Sequence, residues 1–115
     1  MEDARWEALV ATTTALLRDV ARRRSTITYR ELREAVGGAD LVGRGRHDLA
    51  ALLRAVSARS DDAGRGLLSA VVVRADGMPG GGFFRLAFDR GRVETEPRAL
   101  WLSEVHAVFD AAAPA

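Results

Sequence analysis

The chain contains no cysteine, lysine, asparagine or glutamine among its 115 residues. Without cysteine it has no disulfide framework, no thiolate nucleophile and no sulfur ligand for zinc. This absence suits a reducing compartment, so we expect a cytoplasmic protein. All 17 basic residues are arginines, and together with the abundant alanine this composition is typical of a GC-rich bacterial genome. The use of arginine rather than lysine is therefore not in itself evidence of bidentate recognition.

Long apolar segments are also missing. No run approaches the roughly 18 residues that a membrane span needs, and the N-terminal MEDARWEALV has neither the basic nor the apolar region of a signal peptide. We therefore expect no contact with a membrane. A content of 48% hydrophobic and 29% charged residues is ordinary for a soluble protein, and the length fits one domain covering residues 1–115.

Excess charge of one sign is scarce as well. The net charge is only +1, which argues against a strong general binder of nucleic acid. Residues 18–74 nevertheless hold twelve arginines against seven acids, whereas residues 1–17 and 75–115 each carry a net charge of −2. A basic middle between two acidic ends favours nucleic-acid contact through the middle third of the chain.

Local signals predict two helices in the first third of the sequence. Apolar residues at helical spacing predict a long amphipathic helix over about residues 3–24. Thr28 followed by Glu31 forms a capping box, which predicts a second helix over Tyr29–Val36. The β-branched pair Thr26-Ile27 before it predicts a very short strand.

The rest of the chain predicts two further helices and a strand. A third helix is expected from about His47 to Ser60, a buried strand over Leu67–Val73, and a glycine-rich turn over residues 74–82. Phe83–Phe88 fits a helix slightly better than a second wing strand, and both alternatives stay open. Pro97 suits the first position of a final helix.

This order of elements is that of a winged helix-turn-helix. The sequence therefore predicts an α+β, mainly helical fold with a long N-terminal helix and an added C-terminal helix. In such a fold the third helix can enter a DNA major groove, and the strand and its following turn build the wing.

Two stretches resemble a known family. Residues 27–38, ITYRELREAVGG, are similar to the TYGELA…LGG stretch of the alkylguanine-DNA alkyltransferase winged helix and its alkyltransferase-like relatives. Residues 70–77, AVVVRADG, with the glycines that follow, are similar to that family's PCHRVVRADG…GG segment. The resemblance covers about 55 residues, roughly half of the chain. Residues 66–87 also resemble small uncharacterised bacterial proteins.

The resemblance does not extend to the family's reaction. Ser69 stands where the reactive cysteine would be, Ala70 where its histidine would be, and Leu68 replaces a proline. Alkyl transfer requires a thiolate that is activated through the histidine. The resemblance therefore implies a winged-helix frame without the alkyltransferase activity.

Other catalytic and ligand-binding arrangements are not indicated. The two histidines, His47 and His106, lack the spacing of metal ligands, and a triad of His47 with Ser69 would need distant residues to converge. The glycine run after Gly77 has neither the GK[ST] ending of a P-loop nor a GxGxxG pattern. We therefore expect a non-enzymatic protein with no catalytic residue, no metal, no cofactor and no small-molecule substrate.

The leading prediction is a domain that binds DNA through the third helix and the glycine-rich wing. The alanine-rich outer face of that helix favours readout of shape or backbone over a strict base code. Phosphate contacts from Arg22 and Arg23 would add to a set of predicted nucleic-acid-binding residues. These are Arg44, Arg46, His47, Arg54, Arg59 and Arg74.

The alternative is a protein-interaction or adaptor module in a bacterial assembly, with a protein partner or a second copy of the chain and no nucleic acid. The near-zero net charge and the acidic ends favour it. Two adjacent phenylalanines cannot both point inward in regular structure, so Phe83 and Phe84 are candidate partner contacts.

Overall fold

The computed structural model describes residues 2–37 and 49–114. In these residues the chain is mainly helical with one small sheet, which confirms the expected α+β, mainly helical class. The helices are α1 (Glu2–Arg22), α2 (Tyr29–Ala35), α3 (Leu49–Asp62), α4 (Gly81–Asp89) and α5 (Pro97–Ala112). The strands are β1 (Ile27–Thr28) and β2 (Val72–Val73), and a 3₁₀ turn covers Leu68–Val71.

α1 ends two residues earlier than its apolar spacing predicts, because Arg24 adopts a left-handed conformation with φ +51°. The Ser25 amide donates to the Val20 carbonyl and the Arg24 amide to the Ala21 carbonyl, which is the bonding of a Schellman cap. Arg24 also lies 5.2 Å from the centre of the Phe109 ring. These contacts hold a side chain where glycine is usual.

The capping box at the start of α2 is confirmed. The Glu31 amide donates to the Thr28 hydroxyl over 3.1 Å, and the Thr28 amide donates to the Glu31 carboxylate over 2.9 Å. The bond from the Thr28 amide, followed by the contribution of the Thr28 side chain, keeps the pKa of Glu31 below its ordinary value, since hydrogen bonds to the carboxylate stabilise its ionised form. The helix then ends at Ala35, one residue before the predicted bound.

The prediction of a strand over Leu67–Val73 is wrong for its first part. Leu68–Val71 forms a 3₁₀ turn, and only Val72–Val73 forms a strand. β2 pairs in parallel with β1, with Ile27 opposite Val72 and Thr28 opposite Val73. Because β1 has only two residues, the earlier positions have no ladder to join, and the amide of Ser69 instead donates to the hydroxyl of Ser57.

The segment that could have been a second wing strand is helical. Phe83–Phe88 lies within α4, so the residues covered by the structure contain no hairpin partner for β2. α5 begins at Pro97 as predicted, and the Glu96 carboxylate caps it by accepting bonds from the Arg98 and Ala99 amides.

The core surrounds the 3₁₀ turn. Four buried residues, Leu68 to Val71, contact α1, α3 and α5. Trp101 of α5 fixes the turn from one side, because its indole N–H donates to the Ala70 carbonyl over 2.8 Å. On α5, Leu100, Val105, Val108 and Phe109 are buried and Trp101 is half-buried. Among the helices described here, none is long and apolar enough to cross a membrane.

Candidate functional site

A small cleft opens where α2, α3, the 3₁₀ turn and α4 meet. Its volume is about 30 Å³, far below the several hundred Å³ of a typical small-molecule site. Leu53, Phe83 and Leu86 supply an apolar surface, and the polar lining comes from Tyr29, Arg54 and Ser69. The cleft is therefore suited to a small protruding group rather than to a whole substrate molecule.

Two serines are hydrogen-bonded beside the cleft. The Ser57 hydroxyl donates to the Ser69 hydroxyl over 2.7 Å and accepts from the Ser69 amide over 2.8 Å. Both residues are buried, and Ser69 is the one that lines the cleft. The pair fixes the 3₁₀ turn against α3, which explains why a polar side chain is tolerated at this depth.

Tyr29 joins α2 to the start of α4. Its hydroxyl accepts a hydrogen bond from the Gly80 amide over 2.9 Å. A Cβ atom at Gly80 would lie 3.2 Å from that oxygen, so the close approach favours glycine. No side chain caps α4, and Gly81 and Gly82 have open space where a Cβ would be. The Phe83 amide donates to the Gly80 carbonyl, whereas the amides of Gly81 and Gly82 have no described partner, and Gly82 lines the cleft.

Arg54 lies at the rim. It is exposed, and it forms no ion pair with any residue that the structure describes. On α3 it lies one turn after Ala50, next to Leu53, so its helical position is on the cleft side. The described lining thus combines hydroxyl and guanidinium donors with no carboxylate. Such a lining suits a group that presents hydrogen-bond acceptors.

The cleft has no visible means of activating a nucleophile. The described partner of the Ser69 hydroxyl is Ser57, and neither a histidine nor a carboxylate lines the cleft within residues 2–37 and 49–114. His106 is exposed on α5, with its ring 6.4 Å from that of Phe109. No group of three or more potential metal ligands occurs in the described ranges.

Of the predicted nucleic-acid-binding residues, the structure describes Arg54, Arg59 and Arg74, and Arg59 lies on a different face of α3 from Arg54. Arg59 is on α3 five residues after Arg54, about 140° further around the helix. It donates two hydrogen bonds to Glu7 of α1, over 2.6 and 2.8 Å, and these keep the pKa of Glu7 below its ordinary value. Arg74 forms an ion pair of 3.0 Å with Asp76. Of these three arginines, Arg54 is the one that lacks an ion pair with a described residue, and it is the one that lines the cleft.

The remaining predicted residues lie elsewhere. Arg44, Arg46 and His47 fall outside the described residues. Arg22 and Arg23 are exposed near the end of α1, and both approach Asp19.

The three phenylalanines of α4 differ in their exposure to solvent. Phe83 is buried and contacts the half-buried Phe84 edge to face, with ring centres 5.3 Å apart. Phe88, at 46% exposure, is the α4 phenylalanine most open to solvent, and Val93 just beyond the helix is 88% exposed. Phe83 is therefore part of the core, and the accessible apolar surface lies at the other end of α4.

A charged cluster that the sequence does not predict joins α3 to α5. Asp61 accepts hydrogen bonds from Arg90 over 2.7 Å and from Arg92 over 2.8 and 3.0 Å, and Arg92 also bonds Glu104. Hydrogen bonds from Arg92, then those from Arg90, lower the pKa of Asp61 from 3.8 to about 2. The bonds to Asp61 and Glu104 raise the pKa of Arg92. Arg90 also pairs with Asp62, so both acids that end α3 are occupied.

Comparison with protein-family models, curated proteins and solved structures finds no match to this chain. The cleft therefore has to be interpreted from its own geometry.

Proposed function

We propose that this chain is a non-enzymatic, winged-helix-like domain that binds DNA through the cleft-side face of α3 and the glycine-rich turn before α4. The observation that carries the proposal is the set of donors at the cleft. Arg54, Tyr29 and Ser69 line it beside the uncapped amides of α4, without a carboxylate among the described lining residues. Phosphate oxygens of a DNA backbone are acceptors only, and helix N-termini and arginines are common contacts for them.

Exposed arginines on α3 and on α2, the helix that supplies Tyr29 to the cleft, support this assignment. Arg54 is accompanied by Arg30 and Arg33 on α2, and both are exposed. None of the three pairs with an acid in the part of the chain that the structure covers. On the same helix Glu31 is committed to the capping box, which leaves Glu34 as the acid that opposes this charge. The local surface is thus more basic than the net charge of +1 suggests.

The order of elements also supports the proposal. Among the described elements, the order is a long helix, a short strand, two helices that flank residues 38–48, a second short strand and a glycine turn, which agrees with a winged helix-turn-helix. Because β2 pairs with β1 and the next element is α4, the wing in this proposal is the turn of residues 74–80 alone. The turn is closed by the Arg74 amide, which donates to the Met78 carbonyl.

The absence of catalysis is inferred from Ser69. This residue occupies the position that the alkyltransferase resemblance assigns to a reactive cysteine, and it lines the cleft. Its described partner is the hydroxyl of Ser57, which is not a base strong enough to activate a nucleophile. A cleft that keeps its donors without an activated nucleophile fits binding better than group transfer.

A direct test compares two arginine variants. Arg54→Ala removes the rim donor, while Arg5→Ala removes an exposed arginine near the start of α1 that also lacks a described ion pair. In fluorescence anisotropy with a labelled duplex, we expect Arg54→Ala to weaken binding about three- to tenfold, because one phosphate contact is lost. Equal affinities for the two variants, or no binding by the wild-type chain, would contradict the proposal.

A second candidate function is protein interaction, favoured by the exposure of Phe88 and Val93. Each is a large apolar side chain open to solvent, and such a side chain is a candidate contact for a partner. Light scattering of the wild-type protein and of Phe88→Ser distinguishes this function. A mass above that of the monomer that falls in the variant, without any DNA binding, would favour interaction over the first proposal.

A further inference from the structure

A second, smaller cleft lies where α1 passes the C-terminal ends of α3 and α5. It has a volume of about 10 Å³, which is space for one water-sized group. Its polar lining consists of Arg18, Ser60 and Arg65, and Leu68 and Val108 form the apolar part. It shares no lining residue with the cleft at Arg54.

Ser60 is the unusual member of this lining. The residue is only 4% exposed, and its hydroxyl has no hydrogen-bond partner in the described part of the chain. The hydroxyl of Ser57, one turn earlier on α3, is bonded to Ser69. A buried hydroxyl that lacks a partner is unfavourable, and most such groups in proteins are satisfied by a neighbour, a water or a ligand.

The two arginines are unusual as well. Arg18 reaches the cleft from α1 and Arg65 from the chain just after α3, and neither forms an ion pair with a described residue. The nearest acids along the chain from Arg65 are Asp61 and Asp62, which are already bound to Arg90 and Arg92. Two cationic side chains therefore share one small cleft without an acidic partner among the described residues.

We propose that this cleft binds an oxyanion of the phosphate class. Its size admits one oxygen atom, which would accept a hydrogen bond from Ser60, while the remaining oxygens lie outside on the guanidinium groups of Arg18 and Arg65. Guanidinium groups bind such oxygens with charge-assisted, often bidentate, hydrogen bonds. This inference does not rest on DNA binding at the first cleft, because the residues are different.

The competing explanation is that Arg18 and Arg65 stabilise the C-terminal ends of α3 and α5. The last turns of α3 and α5 direct carbonyl oxygens and the negative end of each helix dipole toward this region. Arginines at these positions would stabilise the helix ends even with no ligand bound. The two roles make different predictions, because only the ligand-binding role predicts a loss of phosphate affinity when the arginines are replaced.

The test uses inorganic phosphate and the full chain, with sodium chloride of equal ionic strength as the reference. Titration calorimetry is expected to show saturable binding that falls at least about tenfold in Arg18→Ala/Arg65→Ala, since two charge-assisted contacts are lost. The matched control Arg5→Ala/Arg98→Ala removes the same charge from exposed sites that lack described ion pairs. It should retain the wild-type affinity.

Ser60→Ala gives a second variant that does not depend on the arginines. It removes the unpartnered hydroxyl, so the phosphate-free protein should unfold at the same temperature as wild type or a higher one. Phosphate affinity should nevertheless fall about three- to tenfold, because one hydrogen bond to the anion is lost. A merely structural serine would leave the affinity unchanged.

Four results would overturn the proposal: no saturable phosphate binding, equal loss in the double variant and its control, an unchanged phosphate affinity in Ser60→Ala, or thermal destabilisation of the double variant without any change in affinity. A parallel titration with duplex DNA identifies the source of the oxyanion. If Arg18→Ala/Arg65→Ala weakens duplex binding more than the control does, the site takes a backbone phosphate. If duplex binding changes equally in both, the site takes free phosphate.

Discussion

Replacing Asp61 with asparagine should destabilise the protein in a pH-dependent manner. The substitution keeps the size of the side chain but removes the charge that Arg90 and Arg92 contact. Asp61 is only 17% exposed, so the loss is larger than for a surface ion pair. Arg90 keeps Asp62 and Arg92 keeps Glu104 as partners, which limits the loss because neither arginine is left buried without an acid.

The magnitude follows from the pKa of Asp61. Its fall from 3.8 to about 2 in the folded protein corresponds to about 2.4 kcal/mol of stability, or about 2 kcal/mol when residual contact with solvent is allowed for. Because the folded pKa is the lower one, this contribution is fully present above pH 3.8. It is lost as the pH falls through the folded value near 2.

Urea unfolding of wild type and Asp61→Asn between pH 7 and pH 2 measures this directly. At pH 7 we expect the variant to lose about 2 kcal/mol, equivalent to a fall of roughly 6–10 °C in Tm for a chain of this length. The difference in the free energy of unfolding between wild type and Asp61→Asn should narrow below pH 3.8. The control Asp19→Asn changes an ion pair with Arg22 and Arg23 that is more than half exposed, and its loss should stay within about 0.5 kcal/mol. A loss below that limit at pH 7, or one independent of pH, would refute the reasoning.

Three further substitutions test separate parts of the structure. Tyr29→Phe should lower the free energy of unfolding by about 1 kcal/mol, because the half-buried Gly80 amide loses its acceptor. An unchanged midpoint in urea unfolding would contradict this prediction and would mean that water fully replaces the phenol. Gly66→Ala should lower the free energy of unfolding by about 2 kcal/mol, since φ is +84° and the new Cβ would lie 3.3 Å from a methyl group of the buried Val108. Gly64→Ala, at φ +77° with open space around the new Cβ, should lower it by only about 1 kcal/mol. If thermal unfolding shows the same loss of stability in both variants, the contact with the valine methyl does not contribute to the cost at Gly66. Ser69→Cys should transfer no alkyl group from an O6-alkylguanine duplex, because no base lines the cleft in the described residues, and a mass increase of the protein by one alkyl group would overturn the non-enzymatic assignment.

Four of the described helices, α1, α2, α3 and α5, could be predicted from the sequence because their signals are local, whereas the segment of α4 left a helix and a strand open. The capping box needs only Thr28 and Glu31, three residues apart, and Pro97 with Glu96 marks the start of α5 in the same way. The predicted bounds are displaced by one or two residues where a cap or an ion pair decides the end. α3, for example, continues to Asp62, whose carboxylate contacts Arg90.

The 3₁₀ turn could not be predicted because its cause is tertiary. Leu67–Val73 has the composition of a buried strand, but a strand needs a partner, and β1 offers two residues. The position of Ser69 depends on Ser57, twelve residues earlier, and on Trp101, which bonds the next residue of the turn. No spacing rule in one sequence connects residues at these separations.

The prediction of the binding residues depends on their positions on the third helix and the wing, and these positions do not reveal which arginines are paired. Arg59 and Arg54 are equivalent in sequence terms, yet Glu7, 52 residues away, binds only the former. The same limit applies to Arg92, whose acids lie 31 and 12 residues away. The resemblance to the alkyltransferase stretches was the one signal that could bring Tyr29 and Ser69 into one site.

The salt dependence of duplex binding tests the central claim most directly. If the cleft face of α3 and the neighbouring turn bind the DNA backbone through about four phosphate contacts, the logarithm of affinity should fall with the logarithm of salt concentration with a slope of about −3.6. In Arg54→Ala the slope should be shallower by about 0.9, while Arg5→Ala should keep the wild-type slope. An affinity that does not depend on salt, or a slope that Arg54→Ala leaves unchanged, would contradict the account.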